Sequence, residues 1–199
     1  MKSVRKGFTL MEMLIVIITL GILSAVMLFS SLEAVSSVDA NNIINNMQQI
    51  KTATYAWYKD NLSRIIPDKD AGYKIRTSGT NQFFSEFVRD HKAEILQYLD
   101  NTQSIKLYSK KESVNNIGEY LLTAVEKTKK WYICCNLGDN SNIISKYGSE
   151  SPELRIKEKI AGRAKTLNLS GLTNKNNDKM DAEVYTDQIF VCMPILELP

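Results

Sequence analysis

Few side chains in this chain are placed to do chemistry. Its 199 residues include a single histidine, His91, and three cysteines, Cys134, Cys135 and Cys192. No P-loop, GxSxG, HExxH or CxxC pattern occurs, so phosphate cradling, acyl transfer, zinc hydrolysis and dithiol exchange have no residues to rest on. Asp139-Asn140-Ser141-Asn142 opens like a calcium loop, but Ile143 stands where an oxygen ligand is needed and Ile144 where Gly should turn the chain. Lys127, Lys129 and Lys130 cluster without the aromatic ladder or basic groove that nucleic acid requires, and read as a solvated turn. His91 lies in an amphipathic stretch and reads as a surface or rim histidine. One residue stands out because of its solvent: Glu12 is the only ionisable side chain between Phe8 and Phe29.

That stretch, FTLMEMLIVIITLGILSAVMLF, would extend about 33 Å as a helix, against roughly 30 Å for a hydrocarbon core. A cleaved secretory signal is a poor match. Its apolar region would be shorter, and Leu23-Ser24-Ala25, the nearest cleavage candidate, lies inside the run. A plain signal anchor accounts for the length and flanking charge. Lys2, Arg5 and Lys6 precede the run, and beyond them the remaining 22 cations balance 22 anions. The positive-inside bias therefore places the N-terminus in the cytoplasm and residues 30–199 on the other side. Neither account explains Glu12, because a carboxylate within a membrane helix costs on the order of 2–3 kcal/mol and marks a functional site by default. The composition, 44% hydrophobic and 24% charged, excludes a wholly disordered, collagen-like or polytopic chain, and a net charge of +3 is too mild to argue for nucleic acid.

Lys6-Gly7-Phe8-Thr9-Leu10-Met11-Glu12 resembles the processing site of type IV prepilins and type II secretion pseudopilins. That family has a short basic leader ending in Gly, then Phe, then Glu as the fifth residue after the cut. The resemblance implies cleavage between Gly7 and Phe8 by a membrane-embedded prepilin peptidase, N-methylation of Phe8, and assembly into a filament through the apolar helix. Gly7 suits a tight protease subsite because it has no side chain. Cleavage would create an ammonium on Phe8, charged at neutral pH with a pKa of roughly 8. In stacked subunits that group can lie beside Glu12 of a neighbour. Each charge is costly alone in low dielectric, so the pair would set the register of an incoming subunit. The competing reading is a carboxylate that only snorkels to the headgroups.

On this reading the cysteines lie outside the cytoplasm, where one disulfide and one spare thiol are expected. Adjacent strand residues face opposite sides, so Cys134 and Cys135 cannot both reach Cys192. A bond from one of them to Cys192 would enclose about 58 residues and stabilise by around 4 kcal/mol. Many pilins tie the C-terminal segment to the sheet in this way; three buried thiols are the alternative. Some major pseudopilins hold calcium in a loop of the sheet, which singles out Asp178, Asp181 and Glu183. Their spacing is nonspecific, and a solvated acidic loop is the plainer reading. No cofactor is expected.

The elements that must position these residues follow from periodicity. No Pro occurs from the apolar run to Pro67 and no Gly to Gly72, and Val35, Val38, Ala40, Ile43, Ile44, Met47, Ile50, Ala53 and Trp57 recur every three or four residues. The pattern predicts one helix over 8–61, apolar all round to 29 and amphipathic over 30–61. Phe29 stands where many pilins carry a helix-kinking Pro. A loop over 62–81, a helix over 82–100, a β-hairpin over 119–126 and 131–137, a helix starting at Ser151-Pro152, a loop over 168–183 and a final strand over Val184–Pro194 complete the chain. The expected architecture is α+β: a long helix packed on a small antiparallel sheet, with residues 1–7 a removable leader and 62–199 an extracytoplasmic globular domain.

These residues point to a structural subunit of a type IV pilus or pilus-like filament. Its partners would be other pilins, the peptidase, an inner-membrane assembly platform and, before assembly, lipid. A secretion or competence pseudopilin is the near alternative, and a monomeric membrane-anchored binding domain the distant one. The leader pattern predicts a mature chain that begins at N-methylated Phe8 and is lighter than the precursor by about 0.8 kDa, at roughly 110 Da per residue. Intact-mass and N-terminal analysis of protein from the native cell checks this; a chain starting at Met1 or cut near Ala25 contradicts it.

Overall fold

The structure is a computed structural model, described here for residues 8–62, 81–99, 105–109, 113–125, 130–149, 151–172 and 189–197. Helix α1 runs unbroken from Leu10 to Asp60. It closes on Asn61, whose backbone N–H and side-chain amide both donate to the Trp57 carbonyl. The buried residues are Ser36, Ala40, Ile43, Ile44, Met47, Ile50, Ala53, Thr54 and Trp57, so the stripe starts only after residue 35. Val35 and Val38, expected on that stripe, are instead exposed. The phase of the buried face selects Ser36 and Ala40. Ser36 is inexpensive to bury because its hydroxyl donates to the Leu32 carbonyl at 2.9 Å.

The expected helix over 82–100 is α2, Asn81–Gln97, which brings Val88 and Ile95 into the core. The hairpin consists of β2, Tyr120–Val125, and β3, Lys130–Asn136, with Leu122 opposite Ile133. Two departures follow in the sheet. The strand β1, Leu107–Tyr108, pairs parallel to β2, so the sheet is mixed rather than antiparallel. The strand β4, Ser170–Leu172, lies within the expected loop over 168–183; it is a three-residue edge whose Ser and Gly carry no strand propensity. The final strand, β5, is Phe190–Glu197 and runs past the expected end at Pro194, while residues 184–188 of the expected Val184–Pro194 lie outside the described residues. The order is β1-β2-β3-β5-β4.

Between β3 and β5 the register shifts at Trp131/Tyr132, which oppose Leu196 and Pro194 and leave Ile195 as the extra residue of a bulge. Pro194 is tolerated there because β4 pairs only with Phe190–Cys192. Alternation then builds two cores. Tyr120, Leu122, Trp131, Ile133, Cys135, Val191 and Met193 face the α1 stripe, together with Val88 and Ile95 of α2. Leu121, Tyr132, Cys134, Phe190 and Cys192 form a second buried cluster on the opposite face.

Two short helices complete the domain. Helix α3, Asn140–Tyr147, was not expected. The Asp139-Asn140-Ser141-Asn142 run is its N-terminus, with the Asp139 carboxylate accepting from the Ser141 and Asn142 N–H groups. Helix α4, Pro152–Arg163, starts as expected, with Ser151 as N-cap. It packs on α1, where Lys159 meets Glu33 at 2.8 Å and Arg163 bonds the Asn41 side chain. Lys157 of α4 is 1% exposed and donates to the Gly138 carbonyl at 2.9 Å and to Asn140 Oδ1, pinning the turn between β3 and α3. Gly138 has a φ of +80°, and a Cβ there would sit 3.0 Å from Ile117, so that turn requires glycine.

A second buried charge holds the entry to β2. The Glu119 carboxylate accepts from the N–H groups of Asn115 and Asn116 at 3.0 Å each, from Asn116 Nδ2 at 2.8 Å and from the Tyr108 hydroxyl at 3.2 Å. Burial pushes its pKa up, but these bonds outweigh burial and pull it down to about 2. A carboxyl whose folded pKa lies below its ordinary value of 4.5 stabilises the fold above that value and loses this contribution as pH falls toward about 2. Whichever way it turns, Glu119→Gln puts an amide NH₂ against N–H donors, the backbone pair on one side or Asn116 Nδ2 on the other, so it should cost roughly 1–3 kcal/mol at neutral pH. Denaturant unfolding of the full chain in detergent at pH 7 and at pH 3 checks this: the gap between wild type and variant should narrow at the lower pH.

Candidate functional site

The N-terminal segment is built around Thr9 and Glu12. Thr9 has extended backbone and caps α1: its hydroxyl oxygen accepts from the Glu12 N–H at 3.2 Å. In return Glu12 Oε2 accepts from the Thr9 N–H at 2.8 Å and from the Thr9 hydroxyl at 2.9 Å. This is a capping box, which satisfies backbone donors that the first turn leaves open. Its signature, Thr-x-x-Glu ahead of an apolar run, stands in the sequence beside the charge of Glu12. Both bonds fall on Oε2, and among the described residues Oε1 has no donor.

Every residue from Phe8 to Val35 is exposed, Phe8 at 79%. This half of α1 is long and apolar enough to cross a membrane, and none of it is buried in the chain's own fold. Three of its hydroxyls bond within the helix: Thr19 donates to the Val16 carbonyl, Ser24 to Leu20 and Ser31 to Met27, while Glu33 at its far end pairs with Lys159. A helix that meets its hydrogen bonds internally is a form of chain that hydrocarbon accepts. Glu12 is the exception, because its charge persists after its Thr9 bonds are made. Gly7 and the leader cations lie outside the described residues, so only the Phe8 side of the expected cleavage point is placed.

The cysteines divide cleanly. Cys134 and Cys192 are directly opposite in the β3–β5 ladder and form a disulfide, with Cα atoms 4.0 Å apart. Cys135 points to the other face, against the α1 core, as a buried free thiol. Burial raises its pKa well above the ordinary thiol value, which makes it unreactive. The choice that alternation alone left open thus falls on Cys134, in register with Cys192. Asp178, Asp181 and Glu183 lie outside the described residues, as do Lys127 and Lys129, whereas Lys130 is the first residue of β3. Among the described residues no three His, Cys, Asp or Glu side chains gather as a metal cluster.

His91 is half-buried at the rim of the fold, as expected, with its ring 5.3 Å from that of Trp57, whose Nε1 donates to Glu94. It helps seat α2 against the end of α1 that is remote from the apolar half.

The geometry therefore presents a single long helix with one carboxylate near its start, an uncovered apolar half, and a disulfide-tied domain on its other half. Compared with family models, curated proteins and solved structures, the chain matches none.

Proposed function

We propose that the chain is a structural subunit of a type IV pilus or pilus-like filament, cut after Gly7 and polymerised through α1. The observation that carries this reading is the lone Glu12 carboxylate, five residues after Gly7, at the head of an apolar half-helix that its own domain leaves uncovered. Before assembly that half would cross the inner membrane with the N-terminus inside. Afterwards neighbouring α1 helices would replace lipid around it. Its partners are other pilins, the prepilin peptidase and the membrane assembly platform; its work is assembly, with no catalysis or cofactor of its own. The neutral charge balance beyond the leader supports a filament subunit over a nucleic-acid binder. Secretion and competence pseudopilins use the same N-terminal chemistry and are the nearest alternative.

The capping box favours a second role for Glu12, as a purely local cap in an anchored monomer. Glu12→Gln separates the two. Gln serves at the third helical position of a capping box, so the cap survives while the charge is lost. Membrane insertion should be unharmed or slightly easier. Cleavage should persist, because the residues flanking the cut are unchanged. Assembly should drop sharply, because each incoming subunit would bury an unpaired Phe8 ammonium at a penalty of several kcal/mol. Glu12→Asp, with its shorter arm, should recover only part. The readout is the ratio of sheared extracellular fibre to processed membrane-bound subunit, and an unchanged ratio for Glu12→Gln would leave the carboxylate as a cap alone.

A further inference from the structure

A groove of about 480 Å³ runs along the outer side of α1, between the helix and the residues that leave α2. Its volume is in the range of small-molecule sites, about 300–1,000 Å³. Asn45, Gln48, Gln49 and Thr52 line it at spacings of three and four residues, so they stand on one face of α1. Ala53 and Leu99, both buried, close its floor, and the small Ala56 leaves room above the helix backbone. Tyr98 supplies an aromatic wall. Its hydroxyl donates to Asp60 Oδ2 at 2.9 Å, which holds the ring against the last turn of α1. Ala56 is eleven residues beyond Asn45, about 16 Å along the helix, so the groove is long enough for more than one sugar ring or a few residues of peptide.

None of the lining side chains is charged at neutral pH, so a phosphate, carboxylate or ammonium ligand would lose water and gain no counter-charge. An alkyl chain would be set against amides that it cannot satisfy. Each amide presents two N–H donors and a carbonyl acceptor. Asn45, Gln48 and Gln49 spend none of these on another described residue. The Thr52 hydroxyl donates to the Gln48 carbonyl at 2.9 Å, which leaves its oxygen as an outward acceptor. A sugar hydroxyl both donates and accepts, so neighbouring hydroxyls of a pyranose ring match the paired groups of an amide. One face of such a ring carries polarised C–H bonds, which the negative face of an aromatic ring attracts. We infer that this groove binds an uncharged pyranose sugar, as the end of a glycan or a short oligosaccharide, with Tyr98 against the ring and the α1 amides on its hydroxyls. Because Tyr98 is already held by Asp60, it loses little freedom when the sugar arrives. Asn45 lies 16 residues beyond Phe29, about 24 Å along α1, so the site stays in water when the apolar half is in lipid or detergent. Binding here requires no filament.

The test uses the full chain in lauryldimethylamine oxide micelles, a detergent without a sugar headgroup, and saturation-transfer NMR. The probes are neutral disaccharides built from glucose, galactose, mannose and N-acetylglucosamine, with glucuronic acid and glucose phosphate as charged sugars and N-acetyl tetra-alanine amide as a peptide. At least one neutral disaccharide should receive saturation, and the charged sugars should not. Gln49→Ala leaves an exposed helical position helical and removes one amide, so it should weaken binding about tenfold. Tyr98→Ala should abolish binding, whereas Tyr98→Phe keeps the ring and should retain most of it. Glu158→Ala, on the exposed side of α4, should change nothing. Absence of binding by every neutral disaccharide overturns the assignment, as does binding that Gln49→Ala and Tyr98→Ala leave equal to wild type. Tighter binding of the charged sugars overturns the choice of an uncharged ligand. Saturation of the peptide alone, lost in the same two variants, gives the groove to a protein segment and overturns the sugar.

Discussion

One helix with two solvents is the constraint on which the rest of the structure depends. From Leu10 to Asp60 the backbone never breaks, yet nothing before Ser36 is buried while a regular stripe after it is. A helix that is apolar all round cannot be hidden by packing one face on a small sheet; it needs an apolar medium or several neighbours. The domain offers neither to the first half, because the sheet face toward α1 is filled by the stripe from Ala40 to Trp57 and by α2. The chain thus folds a complete core around half of a helix and leaves the other half to be solvated by something else. On the proposed reading, membrane and filament are two answers to the same requirement, and a subunit would pass between them without refolding.

Within the domain, buried charge fixes turns. Lys157 holds the β3–α3 turn through Gly138 and Asn140, and Glu119 gathers the backbone before β2 through Asn115 and Asn116. A buried ion with one missing partner is expensive, so each of these clusters tolerates few local arrangements. The disulfide adds a third constraint by tying β5 to β3 on the sheet face away from α1. Core packing sets where the elements lie, and these polar ties set how the chain turns between them.

What was legible in the sequence, and what was not, divides by the range of the signal. The α1 helix, the β2–β3 hairpin and the Ser151-Pro152 start are written in local patterns of periodicity, strand formers and capping, and the structure has them. The strand β1 holds two residues and β4 three, so their existence depends on a neighbour's edge rather than on their own side chains. The exposed Val35 and Val38 show another limit: hydrophobicity identified the amphipathic half, but the packing phase chose the small, internally bonded Ser36 over two valines. Asp139 shows a signal that is local and still easily passed over: an Asp followed by Ser and Asn two and three residues on can cap a helix, and capping asks nothing of the Ile143 and Ile144 that exclude a calcium loop. For the cysteines, alternation showed that only one could reach Cys192, and strand register, which local sequence does not encode, selected Cys134.

Glu12 ties these strands of argument together. Its capping bonds to Thr9 lower the cost of holding a carboxylate at the edge of hydrocarbon, since a charge that accepts two short hydrogen bonds is less dependent on water. Those bonds use one oxygen and leave the other for an incoming donor. In the proposed filament, capping would therefore be compatible with pairing to a neighbour's ammonium and would prepare it, because a side chain already held in one rotamer loses less freedom when a partner arrives. On the proposed reading, the same geometry explains why the charge sits on the second turn rather than deeper. There it lies close enough to the helix start to be capped and to reach the interface in the membrane. It remains far enough inside the apolar segment that, in a filament, water is not available to replace the neighbour.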